Sequence, residues 1–292
     1  MSHFQHVGVL VRLENKKAMA VKHMIVKEIA KYVRKVTLFE GEEDKLIGKC
    51  GVDLIVVVGG DGSFLGGARM GSQFNIPVIG VNFGHVGFLA DIEVDIKDGV
   101  PNVLNKDGLK DLLVNGICEY EERTLLKSVV LRDGVPIDSF IGLNDIVLRP
   151  GNPAKMMSFD LNINQQKMSS QKSDGIIVAT PTGSTAYALS AGGPIVSPAL
   201  DAMVVVSINS NTLASRPVVI DGNDEVSLCV TGDYSDTEMD MPFVSADGTN
   251  RFNLKTGDII EIKKLDKKVK VLHLKGYNKF DVYREKLGWK SS

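Results

Sequence analysis

Cysteine is scarce, at three in 292 residues. Cys50, Cys118 and Cys229 are odd in number, far apart and without the spacing of a metal knuckle or a disulfide framework, so they read as reduced, small apolar residues. The five histidines are equally scattered, which argues against a zinc site. No apolar run approaches the ~20 residues that span a bilayer. Met1-Ser-His-Phe-Gln lacks the basic and apolar layout of a signal peptide, so the expectation is a cytoplasmic protein with no membrane partner. Neither sign of charge dominates: 34 Lys and Arg against 36 Asp and Glu leave a net charge of −2. With no basic stripe interleaved with aromatics, nucleic acid is excluded as the main partner. Two nucleotide-binding signatures are also missing. There is no Gly-x-x-x-x-Gly-Lys-Ser/Thr, and the glycines after Val58 miss the Gly-x-Gly-x-x-Gly spacing, with Leu65 where the third should stand. Internal repeats and low-complexity linkers are absent.

What is present is ordinary globular material, 43% hydrophobic and 24% charged, with length for about two domains. His6 to Arg12 reads as a strand. Val21, Met24, Ile25, Ile29, Tyr32 and Val33 recur at helical spacing within a helix over 15–35. A strand over 36–39, a polar helix-like segment and the strand Leu54 to Val58 complete a doubly wound α/β pattern. Pro77 to Asn82 adds a strand, and a helix is expected over 94–104. From about Tyr120 short β-runs take over, at 124–131, 140–148, 158–162, 175–179, 203–208, 218–220, 226–230, 259–263 and 269–274. The expected fold is therefore an N-terminal doubly wound α/β domain, residues 1–120, followed by an all-β C-terminal domain, residues 121–276. A tail helix over 277–287 would pack back on the first domain with the rest of 277–292.

Three motifs carry chemistry. In Leu54-Ile-Val-Val-Val-Gly-Gly-Asp-Gly-Ser63 a buried-looking strand runs into Gly59, Gly60 and Gly62, which permit close backbone approach; a helix opening at Ser63 would turn its unpaired N–H groups toward them. Asp61 is either a proton acceptor, a metal-ordering group or simply a hydrogen-bonding turn residue. Phe83 to Leu89 is a glycine-rich loop with two aromatics. Asn144-Asp145 interrupts β pattern, as a bulge or turn, or as a carboxamide and carboxylate suited to sugar hydroxyls. Ser173 to Pro194 holds a strand, a Thr-Pro-Thr-Gly turn and a short helix capped by Ser184 or Thr185, a second anion- and hydroxyl-binding loop. Within it Tyr187 either stacks on a base or packs, and Asp174 caps a turn or holds a cation. Arg216-Pro217 and the hairpin-like Asp247-Gly248 are weaker candidates.

Gly59-Gly-Asp-Gly62, Asn144-Asp145 and the block Thr180-Pro-Thr-Gly-Ser-Thr-Ala-Tyr187, in this order, resemble the bacterial NAD kinase family. Asn82 to Leu89, Asn211 to Pro217 and Leu287-Gly-Trp289 resemble further family segments. The resemblance implies transfer of the γ-phosphoryl of ATP, with a divalent metal (Mg²⁺ or Mn²⁺), to the 2′-hydroxyl of the adenosine ribose of NAD. It also implies an active site in the cleft between the two domains and a homodimer or homotetramer. Carried over residue by residue, Asp61 is the general base, and Gly59, Gly60 and Gly62 form the phosphate turn. Asn144 and Asp145 would bind NAD, joined by Thr182, Thr185, Ala186, Tyr187, Ala188, Leu189 and Ser190 of the second loop. Phe88 and Asp174 match ligand-side positions, and no protein residues are assigned as metal ligands. Three positions depart from the pattern: Lys172 where Arg is frequent, Lys155 where some relatives have His, and Thr249 where Gln is common. A lipid kinase shares Gly-Gly-Asp-Gly, and a non-catalytic NAD(P) sensor would use the same loops. Neither accounts for the motifs as well.

Overall fold

Runs of β-branched residues take the first half of the chain into a parallel sheet. In the computed structural model the description covers all residues except 1, 14–15, 84–87, 91, 98–99, 104–105, 213–214, 235–236, 238–239 and 290–292. Contacts divide the chain into two units, Met1–Glu122 with Val269–Ser292, and Arg123–Lys268.

In chain order the first unit contains β1 (His6–Val11), α1 (Lys16–Ile29), β2 (Lys35–Glu40), a 3₁₀ helix (Gly41–Lys49), β3 (Leu54–Val58), α2 (Asp61–Phe74), β4 (Val78–Phe83), β5 (Ile92–Lys97), β6 (Val100–Val103), α3 (Lys106–Lys110) running into a π turn (Asp111–Asn115), and β7 (Glu119–Arg123). The second contains β8 (Leu126–Arg132), β9 (Val135–Gly142), β10 (Asp145–Arg149), β11 (Met157–Ile163), β12 (Gln166–Ser173), β13 (Gly175–Ala179), a 3₁₀ turn (Gly183–Thr185), α4 (Tyr187–Ser190), β14 (Ala202–Ile208), β15 (Val218–Asp221), β16 (Val226–Val230), β17 (Phe243–Ala246), β18 (Thr249–Asn253) and β19 (Ile259–Lys264). The chain then returns to the first unit with β20 (Val269–His273) and α5 (Lys279–Lys286).

The first sheet runs β2-β1-β3-β4-β20-β7, with β5 and β6 branching from β4. β1, β2, β3 and β4 are mutually parallel, and β1 and β3 are buried at every residue, as a sheet covered on both faces requires. On one face Val56 and Val58 join Ala18, Val21, Ile25 and Ile29 of α1 and Leu109, Leu112 and Leu113. On the other, Val57 meets α2 at Gly67, where a methyl would overlap its Cγ2. α2 thus lies close on β3, and its N-terminus is delivered at the carboxyl end of the sheet.

The second unit is a β-sandwich of two six-stranded sheets, β15-β14-β13-β10-β17-β18 and β12-β11-β16-β19-β8-β9, with antiparallel pairing throughout the registers seen. Between them lies one core, including Leu126, Phe140, Ile146, Phe159, Ile176, Val205, Leu228 and Ile260. The outer face of β10, β13 and β14 is covered in turn by Ala188 and Val196, so β13 is buried at all five residues and loses polar alternation.

Several expectations are corrected. The helix read over 94–104 is instead the antiparallel pair β5 and β6, with Val94 opposite Val103. Buried Ile92 and Val94 alternate with less buried Glu93 and Asp95, a period of two that a helical reading overlooks. α1 ends at Ile29, so Tyr32 and Val33 lie beyond it. The run 140–148 is two strands, broken at Leu143-Asn144. β12 is a strand without an apolar pattern, since Gln166–Ser173 forms a polar sheet edge. The strand over 269–274, read with the β-rich half, pairs in the first sheet, with Val271 opposite Val78.

Candidate active site

The glycine turn follows β3 directly. Gly59 has φ of +154°, a conformation that favours glycine, and its N–H donates to Val81 O at 3.0 Å, tying the turn to β4. Gly60 is the residue before the helix, and α2 begins at Asp61 rather than at Ser63 as expected. Methyls added at Gly60 or Gly62 would meet nothing within 4 Å among the described residues, so their packing demands neither glycine. The first turn of α2 has no side-chain cap. Ser63 N–H already donates to Gly60 O at 2.9 Å, which leaves the N–H groups before it, without partners inside the helix, to meet an anion.

Asp61 lies in that first turn, where the helix dipole favours a negative charge by about 0.3–1 kcal/mol. Its Oδ2 accepts the Phe88 N–H at 3.4 Å, and its Oδ1 is buried with no hydrogen-bond partner among the described residues. Leaving a buried acceptor unpaired costs about 1–3 kcal/mol. A donor brought by a ligand would relieve that cost. The Phe88 ring is half-buried and lies 6.2 Å from the Tyr283 ring of α5. Residues 84–87 of the same loop lie outside the described residues.

In the second unit three motifs distant in sequence meet. Asn144 sits at the bend before β10, and Asp145 is the first residue of that strand, opposite Ala179 of β13. The second loop closes over this corner. Thr180 N–H donates to Asn144 O at 2.8 Å and Thr180 Oγ1 to Leu143 O at 2.6 Å, while a methyl at Gly183 would overlap Asn144 O. From the other side, the Asp247 carboxylate accepts the N–H groups of Leu143, Asn144 and Asp145 at 3.0, 2.7 and 3.3 Å. Asp145 is 5% exposed. Burial, with the neighbouring Asp247 charge added, pushes its carboxyl up from 3.8 to about 7.

The expected cap on the short helix is absent. Ser184 Oγ instead donates to Pro181 O at 2.6 Å and accepts Val196 N–H at 2.9 Å, and Thr185 Oγ1 donates back to Thr182 O at 3.2 Å. α4, at four residues, starts after Ala186 without a side-chain cap. Both hydroxyls are consumed in shaping the loop. Of the remaining residues expected there, Tyr187 and Leu189 are half-buried, Ser190 is exposed and Ala188 is fully buried in the core beneath, which limits any ligand contact of Ala188 to its backbone. The Arg149 guanidinium lies 5.9 Å from the Tyr187 ring centroid, and Arg123 Nη1 donates to Thr182 Oγ1 at 3.4 Å.

The outlying positions are less engaged with the corner. Asp174 Oδ2 accepts from Asn209 Nδ2 at 3.0 Å. Lys155 pairs with Asp240 at 3.1 Å, and Lys172 is exposed on β12. Thr249 Oγ1 donates to Ala246 O at 3.0 Å within its own hairpin, so it does not replace a side-chain amide reaching outward. Asp247, a weak candidate from the sequence, is engaged with the corner more closely than its turn signal implies. Its Asp-Gly turn signal was legible, but the three N–H groups converging on it come from a segment about a hundred residues away.

Two family models match the chain: the ATP-NAD kinase N-terminal domain over residues 7–106 and the ATP-NAD kinase C-terminal domain over residues 143–274. The chain belongs to the NAD kinase family. It is 43% identical to an NAD kinase of Hahella chejuensis, over all of this chain and 94% of that one. It is 41% identical to an NAD kinase of Pseudomonas putida, over all of this chain and 98% of the other. Among solved structures, a yeast NADH kinase complexed with NADH superposes with a TM-score of 0.77 at 21% identity, over 99% of this chain and 89% of the other. An Archaeoglobus fulgidus NAD kinase in complex with ATP gives 0.67 at 24%, over 98% and 100%. These two establish the NAD kinase fold for this chain, an α/β unit with a β-sandwich.

Proposed function

We propose that the chain is an ATP-dependent NAD kinase that transfers the γ-phosphoryl group of ATP to the 2′-hydroxyl of the adenosine ribose of NAD, with Asp61 as general base. The observation that carries the base assignment is the buried Oδ1 of Asp61 at the start of α2, without a partner among the described residues and beside a glycine turn that they leave open. A ribose hydroxyl is a weak nucleophile at neutral pH. A carboxylate oxygen within hydrogen-bond reach accepts its proton as the oxygen attacks, worth about 10²–10⁴ in rate. The Phe88 N–H on Oδ2 orients the carboxylate, so that Oδ1 is the oxygen presented. Backbone N–H groups of the glycine turn and α2 stabilise charge on the transferring group.

Asn144 and Asp145 hold the NAD, the carboxamide and carboxylate matching paired hydroxyls and the base edge, with the backbone of residues 182–190 beside them. Asp145 acts as an acceptor, so binding strengthens as it ionises. Among the described residues no three His, Cys, Asp or Glu side chains converge. A Mg²⁺ or Mn²⁺ ion would be held mainly by the donor's phosphates, the usual manner for Mg²⁺ with nucleotides. Such an ion, when bound, neutralises charge on the phosphates. The active species is a homodimer or homotetramer, to be read by light scattering.

The test is incubation with ATP, Mg²⁺ and NAD, and detection of product by an NADP-specific dehydrogenase. Accumulation of NADP is expected. No NADP across several divalent ions and phosphoryl donors would refute the proposal.

A further inference from the structure

The turn joining β17 to β18 places Asp247 and Gly248 both in the left-handed region, with φ of 50° and 69°. Asn, Asp or Gly serve equally in such a hairpin turn, so the turn alone does not call for a carboxylate. This one is turned back over the start of β10. Its Oδ2 takes the Leu143 N–H and its Oδ1 the Asn144 and Asp145 N–H groups, while the Asp247 N–H donates to Asp145 O at 3.0 Å. Three consecutive N–H groups around one anion form a nest of the kind that elsewhere binds phosphate. Here the anion belongs to the chain, and the corner is shaped before any ligand arrives.

We propose that Asp247 is a positioning residue for NAD: it fixes the backbone of the Asn144–Asp145 corner and sets a second negative charge against Asp145, so acceptor binding depends on it through that corner. The inference rests on the reading of the chain as an NAD kinase. The second loop reinforces the coupling, because Thr180 and Gly183 pack on the same Leu143 and Asn144 carbonyls that lie behind the nest. Among the described residues, β13 sets Ala179 opposite Asp145, β17 sets Ala246 opposite Ile146, and the turn after β17 brings the one charged group that shifts Asp145, Asp247. Burial and Asp247 both hold the Asp145 proton on.

Steady-state kinetics of the wild type, Asp247→Asn and Asp247→Glu, with NAD and ATP varied separately on both sides of neutral pH, test this. Asparagine adopts the left-handed turn as readily as aspartate, so the hairpin is retained. Asparagine offers one neutral acceptor oxygen and sets an NH2 where the second carboxylate oxygen took an N–H, which is expected to raise KM for NAD by roughly tenfold or more, with KM for ATP unchanged. Removing the charge also lowers the Asp145 pKa, and the acid limb of kcat/KM for NAD moves to lower pH. Asp247→Glu displaces the carboxylate by one methylene; it raises KM for NAD yet leaves the acid limb where the wild type has it. Wild-type KM and an unmoved acid limb in Asp247→Asn overturn the proposal. So does loss of the fold in both variants, which would make Asp247 a structural residue only. A wild type that forms no NADP refutes the underlying assignment instead, so the two failures are distinguishable.

Discussion

Asp145→Asn isolates the electrostatic cost of the corner. With an ordinary value of 3.8 and a folded value of about 7, the ionised carboxyl costs the fold on the order of 4 kcal/mol. The sign follows from proton binding. Unfolded, Asp145 releases its proton near 3.8, and folded it keeps it to about 7. Across that window the native state binds more protons, so the contribution of Asp145 to stability falls as pH rises and stays at its low plateau above the folded value. Asparagine does not ionise and removes the penalty. Because the amide must itself be accommodated in a buried site, at a cost of about 2 kcal/mol that does not depend on pH, a gain of roughly 2 kcal/mol is expected at pH 8 and a loss of about the same size at pH 4. For a unit of this size that corresponds to roughly 4–8 °C in Tm. Thermal unfolding of wild type and Asp145→Asn at the two pH values is the assay. A Tm difference that is the same at both, or that favours the wild type more at the higher pH, would refute the reasoning.

Other substitutions separate chemistry from scaffold. Asp61→Asn is expected to lower kcat by about 10²–10⁴ with NAD binding retained, read by kinetics and calorimetry; unchanged kcat removes Asp61 from the base role. Gly183→Ala puts a methyl onto Asn144 O, costing about 1–3 kcal/mol in urea unfolding and raising KM for NAD, and an unaffected KM would show that loop and corner are uncoupled. Arg132 holds Asp258 by two bonds of 2.8 and 2.7 Å, and Asp258 is 1% exposed. Arg132→Met therefore strands a buried charge and should cost about 3–5 kcal/mol; a loss below about 1 kcal/mol would contradict this.

The sequence made the α/β pattern and the positions of the chemical motifs legible, because the signals are local. Leu54–Val58 is apolar throughout because both of its faces are covered, and the glycines after it mark the turn that delivers Asp61. Thr180-Pro-Thr-Gly likewise marks a tight turn, although not which hydroxyl would do what. Ser184 has the residue type of a helix cap, yet Pro181 O and Val196 N–H, the latter twelve residues on, capture its hydroxyl. β12 was invisible because an edge strand with one solvated face carries Gln, Lys and Ser without an apolar rhythm. The nest on Asp247 depends on pairing between β10 and β17, a long-range register that no local pattern encodes.

The central claim is that Asp61 removes the proton from the ribose 2′-hydroxyl of NAD as phosphate arrives. Its most direct test is transfer from γ-labelled ATP, measured for wild type and Asp61→Asn, each with NAD and with its 2′-deoxy analogue. The account predicts label on NAD at the 2′-position with wild type, a large loss of rate with Asp61→Asn, and no label on the deoxy analogue with either enzyme. Label on the deoxy analogue, or an undiminished rate with Asp61→Asn, would contradict it.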